Sequence, residues 1–225
     1  MIPEKPELVD IYRRLLADGG SQGWWPGDTP FEIAVGAVLT QNTSWTGVEK
    51  AITRLKAAGL LSATAILEAD PQILGELIRP SGYFNVKTRR LKELARFLVE
   101  AGAPEVTGLP GDRIRLRRAL LSVKGVGRET ADSIMLYALG VPIFVIDAYT
   151  RRILGRIGLI DPKADYDDIQ AFFEARLAND VNLFADFHAQ IVRCAKEYCQ
   201  TRPMCLKCPL AGMCVCGSTN ADRRN

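Results

Sequence analysis

All six cysteines of this 225-residue chain lie between Cys194 and Cys216. Four of them read Cys199-x5-Cys205-x2-Cys208-x5-Cys214. The N-terminal MIPEKPELVDIYRR lacks the apolar core of a secretory signal, so a reducing compartment is expected, where clustered thiols point to metal rather than to disulfides. Four thiolates in one compact loop suit a [4Fe-4S] cluster, and zinc with four cysteine ligands is the alternative. One loop, rather than two separated Cys-x2-Cys knuckles, favours the cluster. Cys194 and Cys216 fall outside the spacing and are read as spectators.

A second group of residues suits an anion. In SVKGVGRETA, two short helices must be joined across Lys124, Gly125, Val126, Gly127 and Arg128. Glycine allows a positive φ and a close approach that a side chain would block. The first amides of the following helix lack intrahelical partners, and together with the helix dipole they suit a phosphate oxygen. Lys124 and Arg128 would add charge without reading sequence. Between Arg79 and Arg128 there are twelve Lys or Arg against four acids, so the net charge of +3 is a basic block set in a slightly acidic remainder. That imbalance predicts a polyanionic partner.

Asp147 follows the apolar run VPIFVI and precedes a helical pattern, where a carboxylate can cap a helix or act in catalysis. His188 is the single histidine; it falls within a helical pattern and is read as structural or as a residue that supports the site from behind.

The elements that must position these groups are helical. Apolar residues at Leu8, Ile11, Tyr12, Leu15 and Leu16 form one stripe, and Phe31, Val35, Val38 and Leu39 another, behind the capping signal Asp28-Thr29-Pro30. Further helices are predicted near 46–58, 62–69, 71–78, 84–101, 111–121, 128–139, 147–158, 166–178 and 181–198. Turn signals such as Asp70-Pro71, Pro80-Ser81-Gly82, Gly140-Val141-Pro142 and Asp161-Pro162 separate them. Val141–Ile146 is the one strand-like run, and without a partner strand it reads as an extended link. The class is all-α with a division near residue 143, and the tail GSTNADRRN reads as frayed. No apolar run approaches the roughly 18 residues of a membrane span.

In this order, FEIAVGAVLTQNTSW, GYFNVKTRRL, KGVGRETA with Asp147 downstream, and the cysteine loop resemble the endonuclease III-like, helix-hairpin-helix superfamily of DNA glycosylases. WWP, LTQNTSW, RPSGYFN and VKGVGRETAD bring the resemblance closest to its 3-methyladenine DNA glycosylases. The resemblance implies a two-domain all-α fold with an iron-sulfur loop at 199–214. A helical bundle at 30–143 would carry the hairpin, about 116–139, and residues 1–29 with 144–225 would form the other domain. The first gap of the cysteine loop is one residue shorter than the family pattern.

By the same resemblance, Asp147 is the carboxylate that stabilises positive charge on the deoxyribose and activates the attacking group. Bifunctional relatives place a nucleophilic lysine two residues after the second glycine. This chain has Glu129 there, which cannot form an imine. A monofunctional enzyme hydrolysing the N-glycosidic bond of alkylated purines such as 3-methyladenine is therefore expected, with AP-lyase activity unexpected. Trp24, Trp25, Pro26 and Trp45 match an aromatic base pocket, and Gln190 stands where relatives carry a pocket lysine. Gln41 or Asn42 and Tyr83 match the residues that enter the vacated base stack. The implied partner is damaged double-stranded DNA, bound by a cytoplasmic, nucleoid-associated monomer. The alternatives are a bifunctional endonuclease III-type enzyme acting on oxidised pyrimidines and a non-catalytic DNA-damage binding module.

Overall fold

A computed structural model describes residues 6–216; the GSTNADRRN tail lies outside the described residues. Every regular element among them is helical. The chain divides into two compact units, Pro26–Val141 and a discontinuous unit made of residues up to Trp25 together with those from Pro142 onward. Helix α1 (Leu8–Gly19) opens the discontinuous unit. The continuous unit holds α2 (Pro30–Leu39), α3 (Trp45–Ala57), α4 (Ala63–Glu68), α5 (Pro71–Ile78), a 3-10 turn (Arg79–Ser81), α6 (Phe84–Glu100), α7 (Arg113–Ser122) and α8 (Arg128–Ser133). Helices α9 (Ala148–Ile157), α10 (Tyr166–Glu174) and α11 (Val181–Glu197) complete the discontinuous unit, followed by 3-10 turns at Cys205–Lys207 and Ala211–Met213. Among the described residues no helix is long and apolar enough to cross a membrane.

The continuous unit is built around α2. Its sequence PFEIAVGAVL is apolar nearly all round, and such a helix must be buried on all faces. Thr29 caps it by accepting from the Glu32 amide at 3.1 Å, and Pro30 takes the first position, where no amide is needed. Helices α3, α6 and α8 surround it. Arg117 of α7 forms a fork-like pair with Asp132 of α8, at 2.7 and 3.0 Å, and the Asp132 side chain is completely buried. This ion pair staples the two helices that flank the glycine turn.

The helix predicted over 128–139 is not a single α-helix. It passes at Ser133 into a π-helical turn, Ile134–Ala138, in which the Leu139 amide reaches back to the Ile134 carbonyl at 3.1 Å. Ile134, Met135, Leu136 and Ala138 are all buried there, and the wider turn packs on α2. Apolar periodicity carries no mark of such a turn, because nothing in the residue types breaks the helix.

In the discontinuous unit, α1 and α9 both pack on α11. The core is an aromatic cluster in which Phe144 stacks on Phe173 at 4.0 Å and meets Phe184 and Phe187 edge-on at 5.5 and 5.8 Å. Replacing Asp132 with Ala leaves the Arg117 guanidinium facing a largely buried void. The expected loss is about 3 kcal/mol of stability, read as a fall in the denaturant midpoint. An unchanged midpoint would mean that the pair does not hold the hairpin together.

Candidate active site

Residues 142–147 belong to no helix, Ile143, Phe144, Val145 and Ile146 are buried, and Asp147 has extended backbone. Buried backbone needs hydrogen-bond partners, and this segment has no neighbouring strand. One face of α10 supplies them. Tyr166 Oη accepts from the Ile146 amide at 3.3 Å, Gln170 donates to the Phe144 carbonyl at 2.7 Å, and Glu174 accepts from the Phe144 amide at 3.0 Å. These three side chains recur every fourth residue, so they share a helix face. The link therefore delivers Asp147 to a fixed place at the start of α9.

Asp147 is the N-cap of α9. Its Oδ1 accepts from the Thr150 amide at 2.6 Å and from the Thr150 hydroxyl at 2.8 Å. Its Oδ2 faces His188 Nε2 of α11 at 3.6 Å. Burial pushes the Asp147 pKa up, but His188 and the two Thr150 donors outweigh it and leave the carboxyl below its usual range. The carboxylate is thus held charged in a largely dry place, with one oxygen engaged as a cap and the other turned toward an imidazole. The sequence reading left His188 either structural or supporting the site from behind, and did not name Asp147 as its neighbour. His188 lies on a different helix from Asp147, and no local pattern reports such a contact.

The glycine turn is closed by the Val126 amide on the Val123 carbonyl at 3.0 Å, and the buried Val126 side chain plugs it. Gly125 has φ +94, and a Cβ there would collide with the Arg90 side chain. Gly127 differs: its backbone is extended, and the space where its Cβ would stand is open. The first glycine thus serves the turn and the second keeps the approach to the α8 N-terminus clear. Lys124 and Glu129 are exposed, and Arg128 is half-buried. Glu129 stands in the first turn of α8, where the dipole favours an acid.

Gln41 is drawn onto this hairpin. Its Nε2 donates to the Gly125 carbonyl at 3.2 Å and to Thr130 Oγ1 at 2.8 Å, and Arg90 donates to its Oε1. Asn42 and Tyr83 are exposed, and both adopt left-handed backbone, with φ of 54° and 45°. Trp45 donates from Nε1 to Glu49 at 2.8 Å.

In the discontinuous unit the Trp24 and Trp25 rings lie 5.6 Å apart and the Lys196 ammonium stands 5.9 Å over Trp24; Pro26, at the unit boundary, is exposed. Gln190 is completely buried. It donates to the Gly20 carbonyl at 2.5 Å and accepts from Arg193 at 3.3 Å, while Asp186 one turn earlier accepts from the Gln22 amide at 2.8 Å. Both amide ends of Gln190 are engaged, and its Nε2 ties the chain ahead of Trp24 to α11.

Cys199, Cys205, Cys208 and Cys214 line one cavity with Arg156, Tyr198 and Pro203, and Cys216 lines it too. Arg156 organises the loop, donating to Cys199 Sγ at 3.2 Å and to the Gln200 and Thr201 carbonyls at 2.7 and 3.1 Å. Cys214 Sγ in turn donates to the Arg156 carbonyl at 3.3 Å. Among the described residues no disulfide forms, and no three His, Cys, Asp or Glu side chains converge as on a single ion. Of the two cysteines outside the spacing, Cys216 also lines this cavity, while Cys194 is buried on α11.

The chain matches the HhH-GPD superfamily of base excision DNA repair proteins over residues 35–179. It is 46% identical over 210 residues to the "Putative DNA repair glycosylase" of Methanocaldococcus jannaschii, spanning 92% of this chain and 96% of that protein. Endonuclease III of Sulfolobus acidocaldarius is 26% identical over 186 residues, 82% of this chain and 81% of its own. Among solved structures, the 3-methyladenine DNA glycosylase of H. pylori bound to 1,N6-ethenoadenine superposes with a TM-score of 0.75 at 30% identity, covering 85% of this chain and 98% of that one. A non-covalent endonuclease III–DNA complex gives 0.81 at 22% identity, covering 95% of each, and shares the fold. A family match across most of the chain and a relative nearly half identical over its full length lead to one conclusion: the chain belongs to the HhH-GPD superfamily of base excision DNA repair proteins.

Proposed function

We propose that this protein is a monofunctional DNA glycosylase that flips alkylated purines such as 3-methyladenine out of duplex DNA and hydrolyses their glycosidic bonds. The observation that carries the reading is the held, charged carboxylate of Asp147, and it is supported by Glu129 standing where the resemblance puts the nucleophilic lysine of bifunctional relatives. The 30% identity to a 3-methyladenine DNA glycosylase supports the substrate class.

The chemistry rests on the geometry. Alkylation at N3 or N7 makes the purine cationic, so it leaves without protonation and favours electron-rich aromatic faces such as those of Trp24, Trp25 and Trp45. As the bond breaks, positive charge grows on the sugar, and an ionised carboxylate stabilises it. Oδ1 of Asp147 is engaged by Thr150, which leaves Oδ2 to orient water and accept its proton. His188 Nε2 stands 3.6 Å from that oxygen and favours its charged form.

The hairpin amides, with Lys124 and Arg128, hold a backbone phosphate. Exposed Asn42 and Tyr83 enter the stack when the base leaves. Four thiols spread around a cavity, rather than meeting at a point, suit a [4Fe-4S] cluster held by Cys199, Cys205, Cys208 and Cys214. Bound there, the cluster would supply structural order to a loop whose exposed Arg202 and Lys207 can meet phosphates.

Base release from duplexes bearing methylated adenine, methylated guanine, hypoxanthine, uracil and thymine glycol tests the substrate class. Methylated purines should be released, and release of oxidised pyrimidines alone would overturn the proposal. Borohydride should trap little protein on abasic DNA, whereas efficient trapping would favour the endonuclease III-type reading.

Asp147→Asn should bind damaged DNA yet lose excision by about a hundredfold or more. Equal activity of variant and parent would remove Asp147 from catalysis. In His188→Asn, Asp147 loses a partner that keeps its pKa low, so the acid limb of the excision pH profile should move to higher pH. An unmoved limb would show that His188 does not act on the carboxylate. Purified protein should absorb in the visible with iron bound, and colourless protein carrying zinc would select the other metal.

A further inference from the structure

Lys87, on α6, is only 1% exposed. Its ammonium donates to the Leu39 carbonyl at 2.8 Å and to the Ser81 carbonyl at 2.6 Å. Leu39 is the last residue of α2 and Ser81 the last of the 3-10 turn, so one buried cation satisfies the carbonyl ends of two helical segments. Among the described residues no carboxylate forms an ion pair with it within 4 Å. Burial, and then the nearby Arg90 charge, pull its pKa down to about 8. An apolar side chain would fill this space without that electrostatic penalty, so the value of the lysine lies in its donors.

The residues downstream of the two gripped carbonyls share an unusual backbone. Asn42 comes shortly after Leu39, and Tyr83, 70% exposed, comes shortly after Ser81. Both have left-handed backbone, a strained conformation for residues other than glycine that concentrates at functional sites. The two segments also run close together: a Cβ on Gly47, in the first turn of α3 just after the first loop, would lie 2.5 Å from the Pro80 carbonyl oxygen, and one on Gly82 would lie 3.9 Å from Thr43 Oγ1. Gln41, next to Asn42, is fastened to the hairpin through Gly125 and Thr130.

We propose that Lys87 is a positioning residue that locks the loops carrying Asn42 and Tyr83 into one rigid probe, so that both enter the DNA stack as a single unit. This rests on the base-flipping glycosylase reading above.

Flipping is read by the fluorescence of 2-aminopurine placed at the flipped position, and excision is measured on the same lesion in paired duplex and in single strands. Lys87→Met should reduce both flipping and duplex excision by about tenfold or more, the loss of two buried charge-assisted hydrogen bonds. Single-strand excision, which needs no probe, should stay within about twofold. Thr88→Val, at a buried hydroxyl on the same helix without a hydrogen-bond partner, should change none of these. Equal losses on both substrates, or no loss of flipping, would overturn the proposal.

A second route does not disturb the buried charge. Asn42→Ala, Tyr83→Ala and the double variant should show strongly non-additive losses of flipping, and additive losses would sink the idea of a single unit. If the parent releases no base from any substrate, the glycosylase reading fails, while the 2-aminopurine signal still reports whether the loops act together.

Discussion

The candidate chemistry depends on how a buried stretch of backbone outside any helix is satisfied. Residues 142–147 have no sheet to join, and unpaired amides and carbonyls in an apolar core would cost several kcal/mol in all. Tyr166, Gln170 and Glu174 form the substitute for a neighbouring strand, while Phe144 locks into the aromatic cluster of Phe173, Phe184 and Phe187. This arrangement fixes where the link ends and α9 begins. Asp147 stands at that junction, so one residue is both the cap that starts the helix and the charged group available for reaction.

Electrostatic preorganisation recurs in the rest of the molecule. The Arg117–Asp132 pair joins the two helices of the hairpin, and Arg156 gathers the carbonyls and one thiol of the cysteine loop. Lys87 takes up the carbonyl ends of α2 and of the Arg79–Ser81 turn. In each case a cation joins two segments of the chain, and the segment so fixed carries residues read as functional. These buried or half-buried cations hold segments together, whereas Lys124 is exposed at the glycine turn.

The two glycines of the hairpin play different parts. Gly125 is required by its positive φ and by Arg90, whereas Gly127 leaves open space in front of α8. Glu129, an acid at the start of that helix, is favourable for the dipole and, having no amine, cannot form an imine.

Residue types and spacing were enough for the helical class, most helix positions and the hairpin, because apolar periodicity, caps and turn residues are local signals. Thr29-Pro30 before α2 and Asp147 before α9 are legible for the same reason: capping is decided within a few residues. The four-cysteine spacing was likewise local. Contacts between segments far apart in the chain came from the folded structure and from nothing shorter in range. Folding set His188 beside Asp147, brought Cys216 into the cavity of the other cysteines, and turned Gln41 onto the hairpin. It also buried Lys87 between two helix ends and opened the helix after Ser133 into a π-helical turn. Packing chooses among partners that residue type and spacing leave equivalent, so these features depend on which faces meet in the folded core.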